Sequence, residues 1–179
     1  MLNLSDAVLI VVDVQGKLAR VVEDSEHMIG QIQKLVKGML ALEIPIILTA
    51  QVPEKLGETV EEIAEVLPDL KQVSRTSFSV FRSIEILNTL AELKRKQIIL
   101  CGFETHICLY QSALDLMNSD YEVYLVVDGT SSRKGVDKAT AIRRVNAEGG
   151  KLTTVEMTLY ELMRDARHPA FKTVAKIIK

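Results

Sequence analysis

The feature that most constrains the fold is the alternation of short, continuous apolar runs with amphipathic segments. The runs are rich in Val, Ile and Leu and lie at 7–13, 44–50, 97–102 and 121–128. Such runs are typical of strands that are buried on both faces of a parallel sheet. Parallel strands need crossover connections, which place helices on both faces of the sheet. We therefore predict an α/β fold with a doubly wound, mainly parallel sheet between two helical layers.

Between the apolar runs, apolar residues recur at the spacing of a helix. In the first of these segments Ile29, Ile32 and Met39 fall on one face. The pattern predicts helices at about 26–42, 58–66, 83–94, 106–118, 136–148 and 157–165, and a last short helix in the tail 168–179. It also predicts small extra strands at 70–73 and 151–156, and loops at 51–58, 74–82 and 129–135.

Length and charge limit the classes of function. A chain of 179 residues without a linker or an internal repeat favours one domain, covering 1–179. The net charge is −2 and both signs are interspersed, which argues against a nucleic-acid partner held on a broad basic surface. The apolar run at the start of the chain is too short to span a membrane. With two cysteines a disulfide framework is not expected, which favours a cytoplasmic location.

Asp13 is a candidate functional residue because it ends the first apolar run. In parallel α/β sheets, ligands bind beyond the carboxyl ends of the strands. A carboxylate at this place is costly to bury unless it is paired, and partial burial would tune its pKa for a general base. The alternative is that Asp13 only caps the turn that follows the strand.

Cys108 lies six residues after Gly102, in the first turn of a predicted helix. Unpaired N–H groups and the helix dipole stabilise a thiolate at such a place, and the same groups can hold an oxyanion. The alternative is a small buried hydrophobe, since free cysteine is among the most buried residue types. The residues alone leave both alternatives open. Cys101 lies inside a strand, so we predict that it is a core residue.

Other kinds of site lack their sequence signatures. No strand is followed by GxGxxG, and QGKL at 15–18 is not a phosphate-binding loop. The three histidines, His27, His106 and His168, do not have the spacing of metal ligands. We therefore expect neither a metal nor a cofactor.

Several stretches together resemble the isochorismatase-like cysteine hydrolases. VVDVQ at 11–15 matches the aspartate that closes the family's first strand, and GFETHIC at 102–108 matches its cysteine motif. QVPEKLG at 51–57, RTSFS at 75–79 and HPAFK at 168–172 are similar to the branch called isochorismatase-domain-containing proteins. The resemblance covers nearly the whole chain.

The resemblance implies a catalytic triad of Asp, Lys and Cys. Asp13 and Cys108 match the first and last members, but Arg75 stands where the family has its lysine. Arginine keeps the positive charge and can fork across a carboxylate, although it is bulkier and does not titrate. Charge stabilisation is therefore retained, whereas any step that needs a proton from this position is lost.

The resemblance also implies the reaction. Asp13 would take the proton of Cys108, whose sulfur would attack a small amide or related C–N substrate to give a thioester that water hydrolyses. Activation of this kind leads us to expect a depressed pKa for the Cys108 thiol. Metal-dependent relatives have an Asp and two His after the second strand, where this chain has 51–54, QVPE. The family further implies a cis peptide near Phe103–Glu104 and a homo-oligomer of two or more subunits.

Six residues near the strand ends are predicted to bind the small-molecule substrate: Gln15, Gln51, Phe78, Glu104, Thr105 and His106. Two other functions compete with hydrolysis. The replacement of the lysine by Arg75 suggests a catalytically impaired, oligomeric binding protein that kept the fold. A weaker alternative is a redox sensor that acts through Cys108.

Overall fold

All four apolar runs form strands in the computed structural model, which describes residues 1–179. The strands are β1 (Ala7–Val12), β2 (Ile46–Gln51), β3 (Val73–Arg75), β4 (Gln97–Phe103), β5 (Glu122–Ser131) and β6 (Lys151–Thr153). The helices are α1 (Leu18–Val21), α2 (Ser25–Ala41), α3 (Pro53–Leu56), α4 (Glu61–Ala64), α5 (Ile84–Leu93), α6 (Tyr110–Met117), α7 (Gly135–Ala147), α8 (Val155–Met163) and α9 (Phe171–Ile178). A 3₁₀ turn at Val80–Arg82 and a π-helical turn at Thr105–Leu109 complete the list.

The sheet has six strands in the order β3-β2-β1-β4-β5-β6, and every neighbouring pair is parallel. The predicted α/β fold is therefore confirmed, with a sheet that is parallel throughout. The order reverses between β1 and β4, since the chain builds outward from β1 in both directions. In sheets of this kind such a reversal opens a crevice at the carboxyl ends of the strands.

The sheet is buried on both faces because successive side chains of a strand point to opposite sides. Leu9 and Val11 of β1 pack into a core with α2, α8 and α9, whereas Ile10 and Val12 pack with α5, α6 and α7. All six residues of β1 are buried, which explains why the sequence shows a continuous apolar run rather than an alternating one.

The C-terminal helix α9 packs on the body of the protein. Val174 is fully buried in the core that α2 and α8 share, and Lys34 of α2 donates to the carbonyl oxygen of Ile178 at 2.9 Å. The apolar face of the tail is thus accounted for by contacts within the chain. No helix combines the length and the apolar character needed to cross a membrane.

Some boundaries differ from the sequence prediction. Helices α1 and α3 lie in segments without a predicted helix, because four residues are too few to show a helical period. β3 lies three residues later than the predicted strand at 70–73. β5 continues to Ser131 through the predicted loop, and its pairing with β4 shifts between Leu100 and Gly102. The sequence did not predict the C-terminal end of β5, because it is rich in hydroxyl side chains and its pairing is irregular.

Gly102 permits the close approach of β4 to β1 at the point where the strand order reverses. Its φ is +117°, and a Cβ atom there would lie 2.0 Å from the carbonyl oxygen of Val12. Gly149 also has a positive φ, +100°, but a Cβ atom there would have no neighbour within 4 Å. A side chain at Gly149 would therefore meet backbone strain alone, whereas one at Gly102 would meet both backbone strain and steric overlap.

We expect Gly102→Ala to destabilise the protein more than Gly149→Ala. Gly149→Ala should cost about 1–2 kcal/mol, the penalty of a left-handed conformation. Gly102→Ala should cost roughly 1–3 kcal/mol more, since overlap with β1 adds to that penalty. Urea unfolding of both variants gives the two free energies, and equal losses would contradict this account of the junction.

Candidate active site

Three side chains meet beyond the carboxyl ends of the strands, beside the reversal of strand order. Asp13 follows β1, Cys108 lies in the π-helical turn after β4, and Arg75 is the last residue of β3. Their exposed fractions are 1%, 5% and 6%, so the cluster is nearly closed to solvent. The three residues that were predicted as catalytic are therefore neighbours in the fold.

The carboxylate of Asp13 is held by two side chains. Its Oδ2 accepts a hydrogen bond from Arg75 Nη2 at 2.5 Å, and its Oδ1 accepts one from Thr49 Oγ1 at 3.3 Å. The residue has a φ of +53°, a left-handed conformation that aspartate tolerates better than most residues. The following turn is closed by the backbone carbonyl of Asp13, which accepts from Gln15 N at 2.9 Å. The side chain does not cap this turn, so the structural alternative for Asp13 is not supported.

Arg75 reaches the site from the edge of the sheet. Because β2 lies between β3 and β1, the backbones of Arg75 and Asp13 are about two strand spacings of roughly 4.8 Å apart, and the two side chains span this gap together. Nη1 donates to the carbonyl oxygen of Ser77, and Nη2 forms the ion pair with Asp13. The Nε–H is buried and has no acceptor. A buried donor without a partner is costly. The Nε–H of Arg75 would therefore be stabilised by an acceptor that forms beside it.

Cys108 is a neutral thiol in the resting site. Burial and, next, the negative charge of Asp13 raise the pKa of Cys108 to about 12, and the opposing effect of Arg75 is smaller. This differs from the depressed pKa that we expected for an activated thiolate. The physical reason is that the turn buries the sulfur beside a carboxylate, whereas the prediction assumed an open helix N-terminus.

Asp13 is suited to accept the proton of that thiol. Burial raises the pKa of Asp13 above its ordinary value, and the charge of Arg75 opposes this shift. A carboxylate with a raised pKa is a stronger base, and Arg75 keeps the charged form available. The cluster can therefore transfer a proton from sulfur to oxygen while the guanidinium stays beside the new thiolate.

The other candidates after β4 point away from the triad or are held by the scaffold. Glu104 Oε1 accepts hydrogen bonds from Arg133 N at 3.2 Å and from Arg133 Nε at 2.9 Å. Thr105 Oγ1 and Thr130 Oγ1 are 2.9 Å apart and hydrogen-bonded. His106 faces two residues beyond β5. Its Nδ1 lies 3.0 Å from Ser132 Oγ, just after that strand, and its Nε2 is 4.0 Å from Asp137 in α7.

The candidates after β1 and β2 form the support and the rim of the site. Gln15 accepts from the N–H of Gln51 at 2.6 Å and donates to the carbonyl oxygens of Gln51 and Gly57. Gln51 in turn donates to the carbonyl oxygen of Thr76 at 3.2 Å. Phe78, which is 51% exposed, lies in the segment between β3 and the 3₁₀ turn. Gln15 therefore fixes the loop, while Gln51 and Phe78 remain candidates for substrate contact.

Three further observations concern the surroundings of the site: a peptide bond, the second cysteine and possible metal ligands. The peptide bond Phe103–Glu104 is cis, as the resemblance implied. Cys101 is fully buried in the core, and burial raises the pKa of its thiol. No group of three or more His, Cys, Asp and Glu side chains is arranged to hold a metal ion.

Two polar residues near the triad were missed by sequence reasoning. Thr49 was hidden in the apolar run of β2, although a hydroxyl two residues before the end of the strand at Gln51 was a signal. Ser112 lies in α6, is fully buried, and donates to the carbonyl oxygen of Cys108 at 2.5 Å. A single serine in an amphipathic helix carries no distinguishing sequence signal.

Comparison with known proteins agrees with this geometry. The model of the isochorismatase domain matches residues 7–157. Isochorismatase domain-containing protein 2 of Xenopus laevis is 38% identical over 174 residues, which cover 96% of this chain and 83% of the relative.

Solved structures show the same fold. The structure of a MAR1 ribonuclease from Caenorhabditis elegans has a TM-score of 0.94 and 34% identity, and the match covers 99% of this chain and 91% of the other. The YcaC gene product of Escherichia coli, described as an octameric hydrolase of unknown specificity, has a TM-score of 0.92. It is 23% identical, with 99% of this chain and 88% of that chain covered, so this likeness shows the fold alone.

Labelling of Cys108 with iodoacetamide should become faster with rising pH up to at least pH 10, with no plateau near the ordinary thiol pKa of about 8.5. Asp13→Asn should accelerate labelling at pH 9, since it removes a charge that raises the pKa of the thiol. Peptide-level mass spectrometry measures both rates. A plateau below pH 8.5 in the wild type, or slower labelling in the variant, would show that the resting sulfur is not a neutral thiol beside a charged carboxylate.

Proposed function

The chain belongs to the isochorismatase family, and on that premise we propose that it is a cysteine hydrolase of a small amide or related C–N substrate. The observation that carries the proposal is the buried contact of Asp13, Arg75 and Cys108 beside the reversal of strand order. The closed cluster favours a small substrate, since the reacting carbon must approach the sulfur of a residue that is 5% exposed.

The proposed reaction begins with transfer of the thiol proton from Cys108 to Asp13. The sulfur forms a bond to the carbonyl carbon, and backbone N–H groups near Glu104 and Cys108 bind the oxyanion. Collapse expels the amine, which takes the proton from Asp13 and leaves a thioester. Water then gives a proton to Asp13, attacks the thioester and releases the acid, while the proton returns to sulfur.

Arg75 acts in this proposal as a fixed charge. It cannot give up a proton at neutral pH, so Asp13 carries every proton that moves. Its unpartnered Nε–H supports this role, because a thiolate at Cys108 is a stronger hydrogen-bond acceptor than a thiol.

We also propose that the reaction needs no metal or cofactor. The residues after β2, where metal-dependent relatives have an Asp and two His, are Gln51, Val52, Pro53 and Glu54, and they offer one carboxylate. This set does not fit a divalent metal centre.

We propose that the protein is a single domain over 1–179 and that it assembles into homo-oligomers in the cytoplasm. The octameric description of YcaC supports assembly, and the two free, buried cysteines support a reducing compartment. We propose no nucleic-acid or membrane partner.

Turnover should depend on Cys108 and not on Cys101. Cys108→Ala should reduce turnover by at least about 10³-fold because it removes the nucleophile. Cys101→Ala is the matched control, since it removes the other thiol from the core without touching the triad. The measurement is release of ammonia or amine from a panel of small amides, with nicotinamide expected to be a poor substrate.

Single-stranded RNA belongs in the same panel, because one structural relative is described as a ribonuclease. RNA cleavage that Cys108→Ala abolishes, without turnover of any amide, would overturn the proposal in favour of that second candidate. Equal activity in Cys108→Ala and the wild type would exclude a cysteine hydrolase of either kind.

Arg75→Lys distinguishes an active hydrolase from a catalytically impaired binding protein. If Arg75 is the working cation, the substitution should lower turnover by roughly 10-fold or more, because lysine cannot keep both hydrogen bonds of the guanidinium. If the arginine disabled an ancestral enzyme, the substitution should instead create or raise turnover on generic amides. Kinetics of both proteins on the same panel decide between the two.

A further inference from the structure

Ser112 joins the two chain segments that supply the cation and the nucleophile. It lies on α6, one turn beyond Cys108, and is fully buried. Its hydroxyl donates to the carbonyl oxygen of Cys108 at 2.5 Å and accepts from the backbone N–H of Val80 at 2.9 Å. Val80 ends the short segment that starts at Arg75, so one side chain links this segment to the cysteine turn.

We infer that Ser112 is a positioning residue that fixes the distance between the Arg75 guanidinium and the Cys108 sulfur. The inference rests on the proposed function where it takes Cys108 as the nucleophile. Ser112 touches neither the sulfur nor the guanidinium in the hydrogen bonds of the site, so it acts through the backbone of both segments.

The position needs such a link because the two segments come from distant parts of the sheet. β3 is an edge strand, and three strands, β2, β1 and β4, connect it to the turn that carries Cys108. A second polar tie near these segments is the ion pair of Arg82 and Asp115 at 3.0 Å, and Val80 also packs in the same core as Cys108. The arginine side chain of the ion pair is 69% exposed, and surface ion pairs contribute little. The buried bridge of Ser112 is therefore the stronger of the two polar ties.

The Ser112 bridge lies close to the point where the π-helical turn passes into the α-helix α6. The π-helical turn ends at Leu109 and α6 begins at Tyr110, and a serine hydroxyl that bonds the carbonyl four residues earlier tends to bend a helix. Ser112 makes this bond to Cys108 itself. Loss of the hydroxyl releases the turn and leaves the buried N–H of Val80 without an acceptor.

The test compares two alkylating reagents of similar size on Cys108. Iodoacetate is an anion and iodoacetamide is neutral, and both need the thiolate. The ratio of their rates therefore cancels changes in exposure and in thiol pKa, and it reports the local charge beside sulfur. A free thiol such as glutathione supplies the reference ratio, and peptide-level mass spectrometry measures Cys108 alone.

Ser112→Ala should lower the ratio of iodoacetate to iodoacetamide rates by about fivefold or more, because the Arg75 cation then lies farther from the sulfur. Ser112→Thr keeps the hydroxyl and should restore the ratio to within about twofold of the wild type. Thr89→Ala is the matched control, since Thr89 Oγ1 also bonds the carbonyl four residues earlier, that of Glu85 at 2.9 Å, but in an exposed hydrogen bond on α5. Its ratio should equal that of the wild type.

Val80→Pro removes the other half of the bridge and decides the matter if Ser112→Ala does not fold. Proline lacks the N–H, is favoured at the start of a helix, and accepts the extended ψ of 129° at Ser79. This variant should lower the ratio as Ser112→Ala does. An unchanged ratio in Ser112→Ala or, if that variant is unfolded, in Val80→Pro would overturn the inference, as would an equal loss in Thr89→Ala. The labelling needs no substrate, so a failure of the proposed hydrolase activity is seen separately in the turnover assay.

Discussion

The buried ion pair of Asp13 and Arg75 is the interaction on which the rest of the site depends. Its atoms are 2.5 Å apart, and both side chains are 2% exposed. Taking two charges out of water costs several kcal/mol per ion, and removal of one partner from such a pair typically costs about 3–5 kcal/mol. The pair is tolerable here because Thr49 and the carbonyl oxygen of Ser77 satisfy further hydrogen bonds. The cysteine turn lies against this pair of charges.

This arrangement determines the state of the sulfur. A thiolate beside the ionised Asp13 would be a second negative charge in a closed site, which one guanidinium does not neutralise. Burial of the sulfur is the larger cause of the raised pKa of Cys108 and the charge of Asp13 is the next, so the resting site holds a neutral thiol. In the proposed reaction the proton moves to Asp13, and the cluster then again holds one positive and one negative charge, on Arg75 and on the sulfur. The negative charge would thus move from the carboxylate to the sulfur while the total charge stays the same.

Sequence reasoning reached the fold and the triad by different routes. Continuous apolar runs predicted the parallel strands, and the position of Asp13 at the end of one of them predicted its place at the carboxyl edge. Cys108 was undecided from its spacing, and the family motif supplied the preference. The direction of each side chain was not predictable, since it depends on the π-helical turn and on loops without periodicity. His106 is the clear example: it is two residues from Cys108 in sequence, yet it faces Ser132 and Asp137 on the other side of the turn.

The arginine at position 75 fits the geometry of this site for a reason beyond charge. The planar guanidinium donates to Asp13 and to the carbonyl oxygen of Ser77 from two nitrogens, and its third nitrogen remains buried without an acceptor. A lysine would offer one compact ammonium group, which cannot reach both Asp13 and the carbonyl oxygen of Ser77 with the spread of a guanidinium. The ammonium is also more strongly hydrated, so burying it would cost more. The guanidinium pairs with the Asp13 carboxylate and binds its own loop at Ser77, and in the proposed reaction its Nε–H would donate to the developing negative charge. Because that loop also bonds to Ser112 of α6, both the edge strand and the helix after Cys108 contact the segment that carries the cation.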